Sequence, residues 1–446
     1  MAVKRLVLIG CAALAFASVA LPSGGKTGPT FAAGKSYSTG RGPNTIAVGD
    51  LNGDGKPDIA TSNEGDGTVS VILNRGGGRF GPPRLYDAPK IPYGVEIGDL
   101  NGDGKADLIA TDLSSDGGVL VFLNQGRGTF ADAVLYPAGS GTGSAAIGDL
   151  NHDGHLDIAA ANSDSRNISI LLNNGDGTFA PRVNYAAGES PGGIAIGNLN
   201  GDQSPDVVTT SGCGTRKVSV LLNRGDGTFG ARHEYAAASS CPYALAIGDL
   251  NGDGRPDIVS ANLFDRYGAS VLLNRGHGVF RANANYLLGQ GAGSVAIGDL
   301  SGDGRPDLAF ATGYARSVSV LVNGGRGHFL GRLAYLPAPG PPQSLSAEIA
   351  DFNGDHRLDI AAANFANSTI SILLNRPGVC NVQPVRLLRP ADAERALVRA
   401  NCRVGSVRYA HSKKVKRGLV MAQSPGFGLV GPRGGRVNLV VSLGPA

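Results

Sequence analysis

Short apolar runs, separated by glycine-rich polar stretches, recur along most of the chain at intervals of about 50 residues. Each interval contains four such runs, which in the first interval occupy residues 46–49, 58–62, 69–74 and 80–86. Runs of about four to eight residues bounded by glycine or asparagine are typical of β-strands. No part of the repeat shows sustained helical spacing. The pattern therefore predicts an all-β fold with four strands in each repeat.

A polar nine-residue segment, here called the acidic loop, joins the first and second runs of each repeat. Its seven copies begin at Asp50, Asp99, Asp149, Asn198, Asp249, Asp299 and Asp351, spaced 49–52 residues apart. Oxygen-bearing side chains stand at positions 1, 3, 5 and 9, and glycine stands at position 6 in most copies. Oxygen donors on alternate residues suit a hard cation that takes about six to eight oxygens. The loops therefore predict bound Ca²⁺.

Seven repeats of four strands, with glycine at each turn, predict a seven-bladed β-propeller over residues 31–376. The fourth strand carries a phenylalanine and, six residues later, a tyrosine. The copies are Phe80/Tyr86, Phe130/Tyr136, Phe179/Tyr185, Phe229/Tyr235, Phe280/Tyr286 and Phe329/Tyr335. No such pair follows the seventh acidic loop, whereas Phe31 and Tyr37 precede the first one. Residues 31–37 are therefore predicted to complete the last blade and to close the ring.

The acidic loop and its repeat resemble the calcium loop of FG-GAP/VCBS repeats, the family of the integrin alpha-subunit head. The resemblance implies that positions 1, 3, 5 and 9 bind calcium through side chains and position 7 through its backbone carbonyl. The implied ligands are Asp50, Asn52, Asp54, Lys56, Asp58; Asp99, Asn101, Asp103, Lys105, Asp107; Asp149, Asn151, Asp153, His155, Asp157; Asn198, Asn200, Asp202, Ser204, Asp206; Asp249, Asn251, Asp253, Arg255, Asp257; Asp299, Ser301, Asp303, Arg305, Asp307; and Asp351, Asn353, Asp355, Arg357, Asp359.

Two acidic loops depart from the pattern. The fourth begins with Asn198 and has Gln203 at position 6, and the seventh has His356 at position 6. A non-glycine residue at a position of positive φ costs free energy. Because the fourth loop has also lost a carboxylate, we expect it to bind calcium most weakly or not at all.

The strand order places the acidic loops on one face and the loops between second and third strands on the other, together with the connections between blades. That second face, here called the variable face, differs in sequence from blade to blade, as binding surfaces on regular scaffolds do. Its candidate ligand-binding residues are Arg166, Arg216, Tyr243, Phe264, Arg266, Tyr267 and Tyr314. Relaxed surface loops are the alternative interpretation. Glu96 and Glu348 replace alanine in first strands and are expected to line the central channel, as solvated residues or as an acid/base pair.

Five cysteines occur in the chain. Cys213 and Cys241 fall on the variable face of the fourth blade, so we predict that they form a disulfide. Cys380 and Cys402 flank the helical segment of the tail and are paired in the same way. Four cysteines allow three connectivities, so other pairings stay open.

Residues 380–446 predict a small α+β domain with a helix over 390–400 and strands near 404–409, 418–425 and 437–442. Two parts of it, Val420-x-x-Gln-Ser-Pro-x-x-Gly428 and Val437-Asn-Leu-Val-Val-Ser442, resemble a PASTA domain. The resemblance implies binding of peptidoglycan fragments. The segment holds 12 Lys/Arg against 2 Asp/Glu, which would suit anionic wall polymers or form a solvated basic surface.

The first 20 residues predict a signal peptide, since Lys4 and Arg5 precede an apolar run that ends in small residues. The run is short for a membrane span, and residues 21–30 follow as a linker. A lipobox-like segment leaves lipidation of Cys11 open. Export is compatible with calcium loops and with disulfides.

Together these patterns predict a secreted or cell-envelope protein that binds calcium and acts in recognition or adhesion without catalysis. Its expected partners are a glycan, peptidoglycan or a cell-surface protein. No aromatic-interleaved basic groove indicates nucleic acid, and we expect a monomer without a transmembrane segment after signal removal. The alternatives are a polysaccharide-degrading enzyme or lectin on a calcium propeller, and a purely structural envelope protein.

Overall fold

A computed structural model describes residues 28–237, 241–265, 267–289, 291–313, 317–337 and 344–445. Within them, seven antiparallel sheets have four strands each, ordered from an inner first strand to an outer fourth strand. The strands are, in sheet 1, β2 Pro43–Gly49, β3 Asp58–Asn63, β4 Thr68–Ile72 and β5 Arg84–Asp87; in sheet 2, β6 Pro92–Gly98, β7 Asp107–Asp112, β8 Gly118–Phe122 and β11 Val134–Pro137; in sheet 3, β12 Thr142–Gly148, β13 Asp157–Asn162, β14 Asn167–Leu171 and β15 Val183–Ala186; in sheet 4, β16 Ile194–Gly197, β17 Asp206–Thr210, β18 Lys217–Leu221 and β19 His233–Ala236; in sheet 5, β20 Pro242–Gly248, β21 Asp257–Asn262, β22 Ala269–Asn274 and β23 Phe280–Tyr286; in sheet 6, β24 Ser294–Gly298, β25 Asp307–Thr312, β26 Ser317–Leu321 and β29 Leu333–Tyr335; and in sheet 7, β30 Ser344–Ala350, β31 Asp359–Asn364, β32 Thr369–Leu373 and β1 Lys35–Ser38.

Burial differs between the inner and the outer strands of each sheet. The second strands, such as β3 and β7, are buried along their whole length because neighbouring sheets cover both of their faces. The fourth strands β5, β11, β15 and β19 are exposed except at their tyrosine, which is half-buried. Hydrophobic clusters join each sheet to the next, and one of them joins sheet 7 to sheet 1 through Ile46, Phe352 and Ile370. The core is therefore a cycle of sheet-to-sheet contacts.

The predicted exchange of the first strand is confirmed. Strand β1 pairs antiparallel with β32, and Lys35 stands opposite Ile372 while Ser38 stands opposite Thr369. Just before β1, Phe31 forms an isolated bridge with Asn375. The last sheet therefore takes its outer strand from the beginning of the chain.

Edge-to-face aromatic contacts connect the outer parts of successive sheets. The tyrosine of each fourth strand packs against the phenylalanine that lies at or just before the start of the fourth strand of the next sheet. The ring centroids of these Tyr–Phe pairs lie 4.8–5.6 Å apart. Tyr335 of sheet 6 contacts Phe31, and Tyr37 of β1 contacts Phe80 of sheet 1. The Phe-and-Tyr pair at the amino end therefore takes the same part as the internal copies.

The carboxyl-terminal segment contains α1 Pro390–Arg399 and a three-stranded sheet in the order β34 Arg403–Ala410, β37 Arg436–Ser442 and β35 Val420–Ser424. These elements confirm the predicted helix and three strands. A further pair, β33 Val379–Asn381 with β36 Val430–Pro432, was not predicted. Short hairpins β9 Asn124–Gly126 with β10 Thr129–Phe130, and β27 Asn323–Gly325 with β28 His328–Phe329, complete the strands. The described chain contains no helix with the length and hydropathy required to cross a membrane.

Both predicted disulfides, Cys213–Cys241 and Cys380–Cys402, are present. The second ties β33 to the start of β34, beyond the end of α1. The carboxyl-terminal segment also shares one hydrophobic cluster with sheets 6 and 7, in which Leu333 and Tyr335 contact its apolar residues. Strand β29 is fully buried for this reason, unlike the outer strands of sheets 1 to 4.

Candidate functional site: acidic loops and central cavity

Six of the seven acidic loops wrap around an aspartate carboxylate at their first position, and the fourth has the amide of Asn198 there. In the first loop, Asp50 Oδ1 accepts hydrogen bonds from the backbone amides of Gly53 and Asp54, and Oδ2 accepts one from Gly55 at 2.7 Å. Asn52 Oδ1 accepts a bond from the Asp54 amide at 2.9 Å. Such side-chain-to-backbone turns hold the oxygen-bearing side chains in a compact arrangement.

Position 6 requires positive φ, as the sequence predicted. Gly55 has φ of 77°, and the same conformation is found at Gln203, with φ of 77°, and at His356, with φ of 62°. The latter two therefore carry the backbone strain expected for side-chain-bearing residues in this region. In the fourth loop, Asn198 also offers only one side-chain oxygen where an aspartate offers two.

The aspartate at position 9 is fully buried. Asp58 accepts hydrogen bonds from the backbone amides of Leu51, at 3.1 Å, and Asn74, at 2.6 Å. Burial, with a smaller contribution from Asp54 and Asp50, raises the pKa of Asp58 to about 6. Its main role in this structure is to tie the acidic loop to the end of the third strand.

The aspartate at position 5 pairs with the basic residue at position 7 in four loops. Asp54 Oδ2 lies 2.8 Å from Lys56 Nζ, and the other pairs are Asp103–Lys105, Asp253–Arg255 and Asp303–Arg305. Among the described residues, no three His, Cys, Asp or Glu side chains converge as they would around an ion. The oxygen donors of the loops fit calcium by their chemistry. In these four loops, the position-5 carboxylate would have to break its ion pair with the Lys or Arg at position 7 in order to bind calcium.

A buried asparagine at the end of each third strand links neighbouring sheets. Asn124 Nδ2 donates to the carbonyl of Leu51 in the preceding sheet's loop, at 2.9 Å, and to the carbonyl of Ala106 at 2.7 Å. Asn74 makes the same contact with Phe352 of sheet 7. The seven copies are Asn74, Asn124, Asn173, Asn223, Asn274, Asn323 and Asn375. Sequence reasoning did not assign them a role, although their regular recurrence was visible.

A central cavity of about 640 Å³ opens on the variable face. All seven sheets contribute to its lining, through first strands and the connections that lead into them; examples are Ile46, Val95 and Tyr243. A second cavity, of about 490 Å³, lies towards the acidic loops and includes Asp50 and Lys56. The two cavities share Glu96 and Glu348, so these residues lie between them.

The two glutamates occupy equivalent positions in β6 and β30, on either side of β2. Their predicted place in the channel is confirmed. The Glu96 side chain is exposed within the channel and Glu348 is half-buried, so water reaches both of them. The enclosing sheets nevertheless replace part of the surrounding water and so partly desolvate the two carboxylates. This desolvation raises the pKa of Glu96 to about 7, and desolvation together with the charge of Glu96 raises the pKa of Glu348 to about 8.

Two tyrosines meet at the opening of the cavity. The hydroxyl groups of Tyr93 in sheet 2 and Tyr243 in sheet 5 contact each other, although the residues are 150 positions apart. Tyr243 was a predicted site residue and Tyr93 was missed. The shared Pro-Tyr sequence of residues 92–93 and 242–243 was the available signal.

The other candidates on the variable face do not line this cavity within the described part of the chain. Arg166 is exposed and lies 3.4 Å from the carboxylate of Glu189. Phe264 is 65% exposed and Tyr267 is 37% exposed, and Arg216 also faces solvent. Arg266, Tyr314, the predicted signal peptide and Cys11 lie outside the described residues. The structure therefore brings Tyr243 together with Glu96 and Glu348, but not with Arg166, Arg216, Phe264 or Tyr267.

Solved structures show a related fold. The chain is similar to BBS1N in complex with ARL6DN, with 11% identity, a TM-score of 0.56 and coverage of 78% of this chain and 98% of that one. A second crystal of that complex has 13% identity and a TM-score of 0.55, with coverage of 78% of this chain and 97% of that one. These neighbours share a β-propeller-like architecture. A lectin from Agrocybe aegerita that recognises non-reducing terminal N-acetylglucosamine is also similar, with 27% identity, coverage of 66% and 80%, and a TM-score of 0.48.

Comparison with curated proteins finds no matching sequence. The sequence does match the FG-GAP-like repeat over six overlapping ranges, which are 50–110, 99–160, 149–209, 198–260, 249–310 and 299–362. The matched ranges begin at the first acidic loop and extend into the seventh repeat, so they cover well over half of the chain. The chain therefore belongs to the FG-GAP-like repeat family.

Proposed function

We propose that this protein is a secreted, calcium-binding recognition protein of the bacterial cell envelope, and that it binds a glycan or a cell-surface protein without catalysis. The observation that carries the proposal is the central cavity, to which all seven sheets contribute and which opens among the variable loops. Regular scaffolds commonly place binding sites where such loops converge. The two disulfides support export to an oxidising compartment.

The proposed scaffold is a seven-bladed propeller followed by a PASTA domain. The seven four-stranded sheets, the exchanged strand β1 and the Asn74–Phe352 contact between the first and last sheets support the ring. The helix and three-stranded sheet of residues 380–446 support the PASTA domain, whose role would be to bind peptidoglycan fragments.

The recognition proposal is tested by a glycan and peptidoglycan-fragment screen with the full chain. Any ligand found is then measured against Tyr243→Ala, which alters the cavity, and Phe264→Ala, which alters only the exposed rim. We expect the Tyr243 change to weaken binding about ten-fold or more and the Phe264 change to have little effect. Unchanged affinity in both variants would overturn the assignment of the site.

Calcium would be held by the acidic loops, where it would offset repulsion between carboxylates and stabilise the fold by linkage. We expect the melting temperature of the protein in excess chelator to be at least about 5 °C lower than in millimolar calcium. Asp54→Ala should remove one binding event in calorimetry, whereas Asp202→Ala in the fourth loop should remove none. Equal melting temperatures with and without calcium would contradict the proposal.

A polysaccharide-degrading enzyme is the second candidate, and the Glu96–Glu348 pair is the observation that favours it. Two carboxyl groups of raised pKa are suited to acid/base chemistry at glycosidic bonds. Turnover of a glycan panel that is abolished by Glu96→Gln would establish this alternative, and absence of turnover with bound ligand would favour recognition.

A further inference from the structure

The charges around the central cavity are unbalanced. Among the described residues, Glu96 and Glu348 are the only charged side chains in the lining of the larger cavity. The smaller cavity adds Asp50 and Lys56, but the Lys56 ammonium lies 2.8 Å from the Asp54 carboxylate outside it. Within the described part of the chain, the linings of the two cavities therefore contain no cation that is free to neutralise the two glutamates.

The walls around this pair are mainly apolar. Ile46, Val95 and Ile194 line the larger cavity, and the rings of Tyr93 and Tyr243 stand at its opening. Two carboxylates that share one cavity repel each other when both are ionised, and each gains from a partner of opposite charge. Aromatic rings near the entrance also favour cations over anions. A ligand with one compact positive charge and an apolar body would satisfy both parts of the cavity.

We propose that the central cavity binds a primary ammonium group, with Glu96 and Glu348 as its counter-charges and the apolar wall around the body that carries it. This inference rests on the proposed recognition function and names the chemistry of its ligand. The ammonium could belong to a free amine or to a lysine side chain of a partner protein, and the chemistry of recognition is the same in both cases.

The raised pKa values of the two glutamates add a pH dependence. Binding should strengthen as pH rises through about 7 to 8, because the pair ionises in this range while an alkylammonium stays protonated. The other titratable groups that line the cavities are Tyr93, Tyr243, Asp50 and Lys56. Tyr93 stays neutral in this range, since burial raises its pKa above the usual value.

The test compares two probes of similar shape, cyclohexylamine and cyclohexanol, by calorimetry or NMR on the full chain at pH 6 and pH 8.5. We expect the amine to bind at least about ten-fold more tightly than the alcohol at pH 8.5. At pH 6 the amine should bind less tightly than it does at pH 8.5. A lysine-containing tetrapeptide and its norleucine counterpart form a second arm, which distinguishes a protein source from a free amine.

The variants are Glu96→Gln, Glu348→Gln and the double change, which keep the size of the side chains. Glu189→Gln is the matched control, because Glu189 is exposed on the same face but lies outside the cavity. The double variant should lose the preference for the amine, and the control should keep it. Equal binding of amine and alcohol, or a preference that survives the double change, would overturn the inference. Glycan binding that depends on Tyr243 but not on the glutamates would leave the proposed function intact.

Discussion

At the scale of single residues, the buried asparagine at the end of each third strand connects neighbouring sheets. Asn173 Nδ2 donates to the carbonyls of Leu100 and Leu156, each at 2.8 Å, and its Oδ1 accepts from the Gly175 amide at 2.9 Å. One side chain thus joins two sheets and shapes its own turn. Its loss would leave buried backbone groups without partners.

We predict that Asn173→Ala lowers the free energy of unfolding by about 2–3 kcal/mol. Asn174→Ala is the matched control, because Asn174 is exposed and bonds only within its own turn, to Thr178. Urea denaturation followed by circular dichroism measures both variants. Similar small losses in the two variants would show that the contact between sheets contributes little.

A second residue-scale prediction concerns Glu348. Its pKa is about 8 in the fold against an ordinary 4.5, so the folded state favours the protonated form. The stability that this group contributes is complete below pH 4.5 and is lost as pH rises through 8. We predict that the melting temperature of Glu348→Gln, relative to the parent, rises by about 2 °C or more between pH 5 and pH 9 at fixed calcium. A difference that does not change with pH would contradict this.

At the scale of elements, β1 is a full member of sheet 7. The Tyr37 hydroxyl donates to the Gly78 carbonyl at 2.9 Å, and its ring lies 5.3 Å from that of Phe80. Tyr235 makes both contacts in an internal repeat, since its hydroxyl donates to the Gly278 carbonyl at 2.8 Å and its ring lies 5.3 Å from that of Phe280. The two tyrosines therefore provide a matched pair.

We predict that Tyr37→Ala and Tyr235→Ala each lower the free energy of unfolding by about 2–3 kcal/mol. Equal costs mean that the exchanged strand stabilises the ring as strongly as an internal one. If Tyr37→Ala lowers the free energy of unfolding by less than about a third of the loss in Tyr235→Ala, β1 is only loosely attached.

At the scale of the whole molecule, the carboxyl-terminal segment packs on the ring rather than standing apart from it. Besides the shared cluster, Gln383 Oε1 accepts a hydrogen bond from the Ala334 amide at 2.6 Å. Asn381 bonds to both backbone groups of Phe31, at 2.9 and 2.7 Å. The segment therefore covers both sheet 6 and the approach to the exchanged strand.

We predict that the full chain unfolds in one calorimetric transition, and that truncation after Pro377 lowers the melting temperature of the ring because Leu333 and Tyr335 become exposed. Their burial contributes about 3 kcal/mol or more. Removal of residues 443–446 alone is the control and should have little effect. Two separate transitions, or a truncated ring of unchanged stability, would contradict one cooperative unit.

Much of the architecture could be read from the chain by itself. The four-stranded repeat, the exchanged strand and the helix and three strands of the tail follow from local periodicity and spacing. The positions of the cysteines favoured the two predicted disulfides, and the structure selects them from the three connectivities that the sequence left open. These features are accessible because each repeat carries the same pattern of apolar residues, turns and acidic loop, so that seven copies reinforce one interpretation. The place of Glu96 and Glu348 in the channel followed from the same alignment of repeats.

Only the tertiary structure decided which distant residues meet. The Asn74–Phe352 contact, the Tyr93–Tyr243 pair and the core shared by Leu333 with the tail depend on the curvature of the ring and on the way the tail folds back. It also separated Tyr243, which lines the cavity, from Arg166 and Phe264, which lie outside it. Periodicity fixes where each strand begins and which face it buries. The distance between side chains on different sheets depends instead on how all of the sheets pack together.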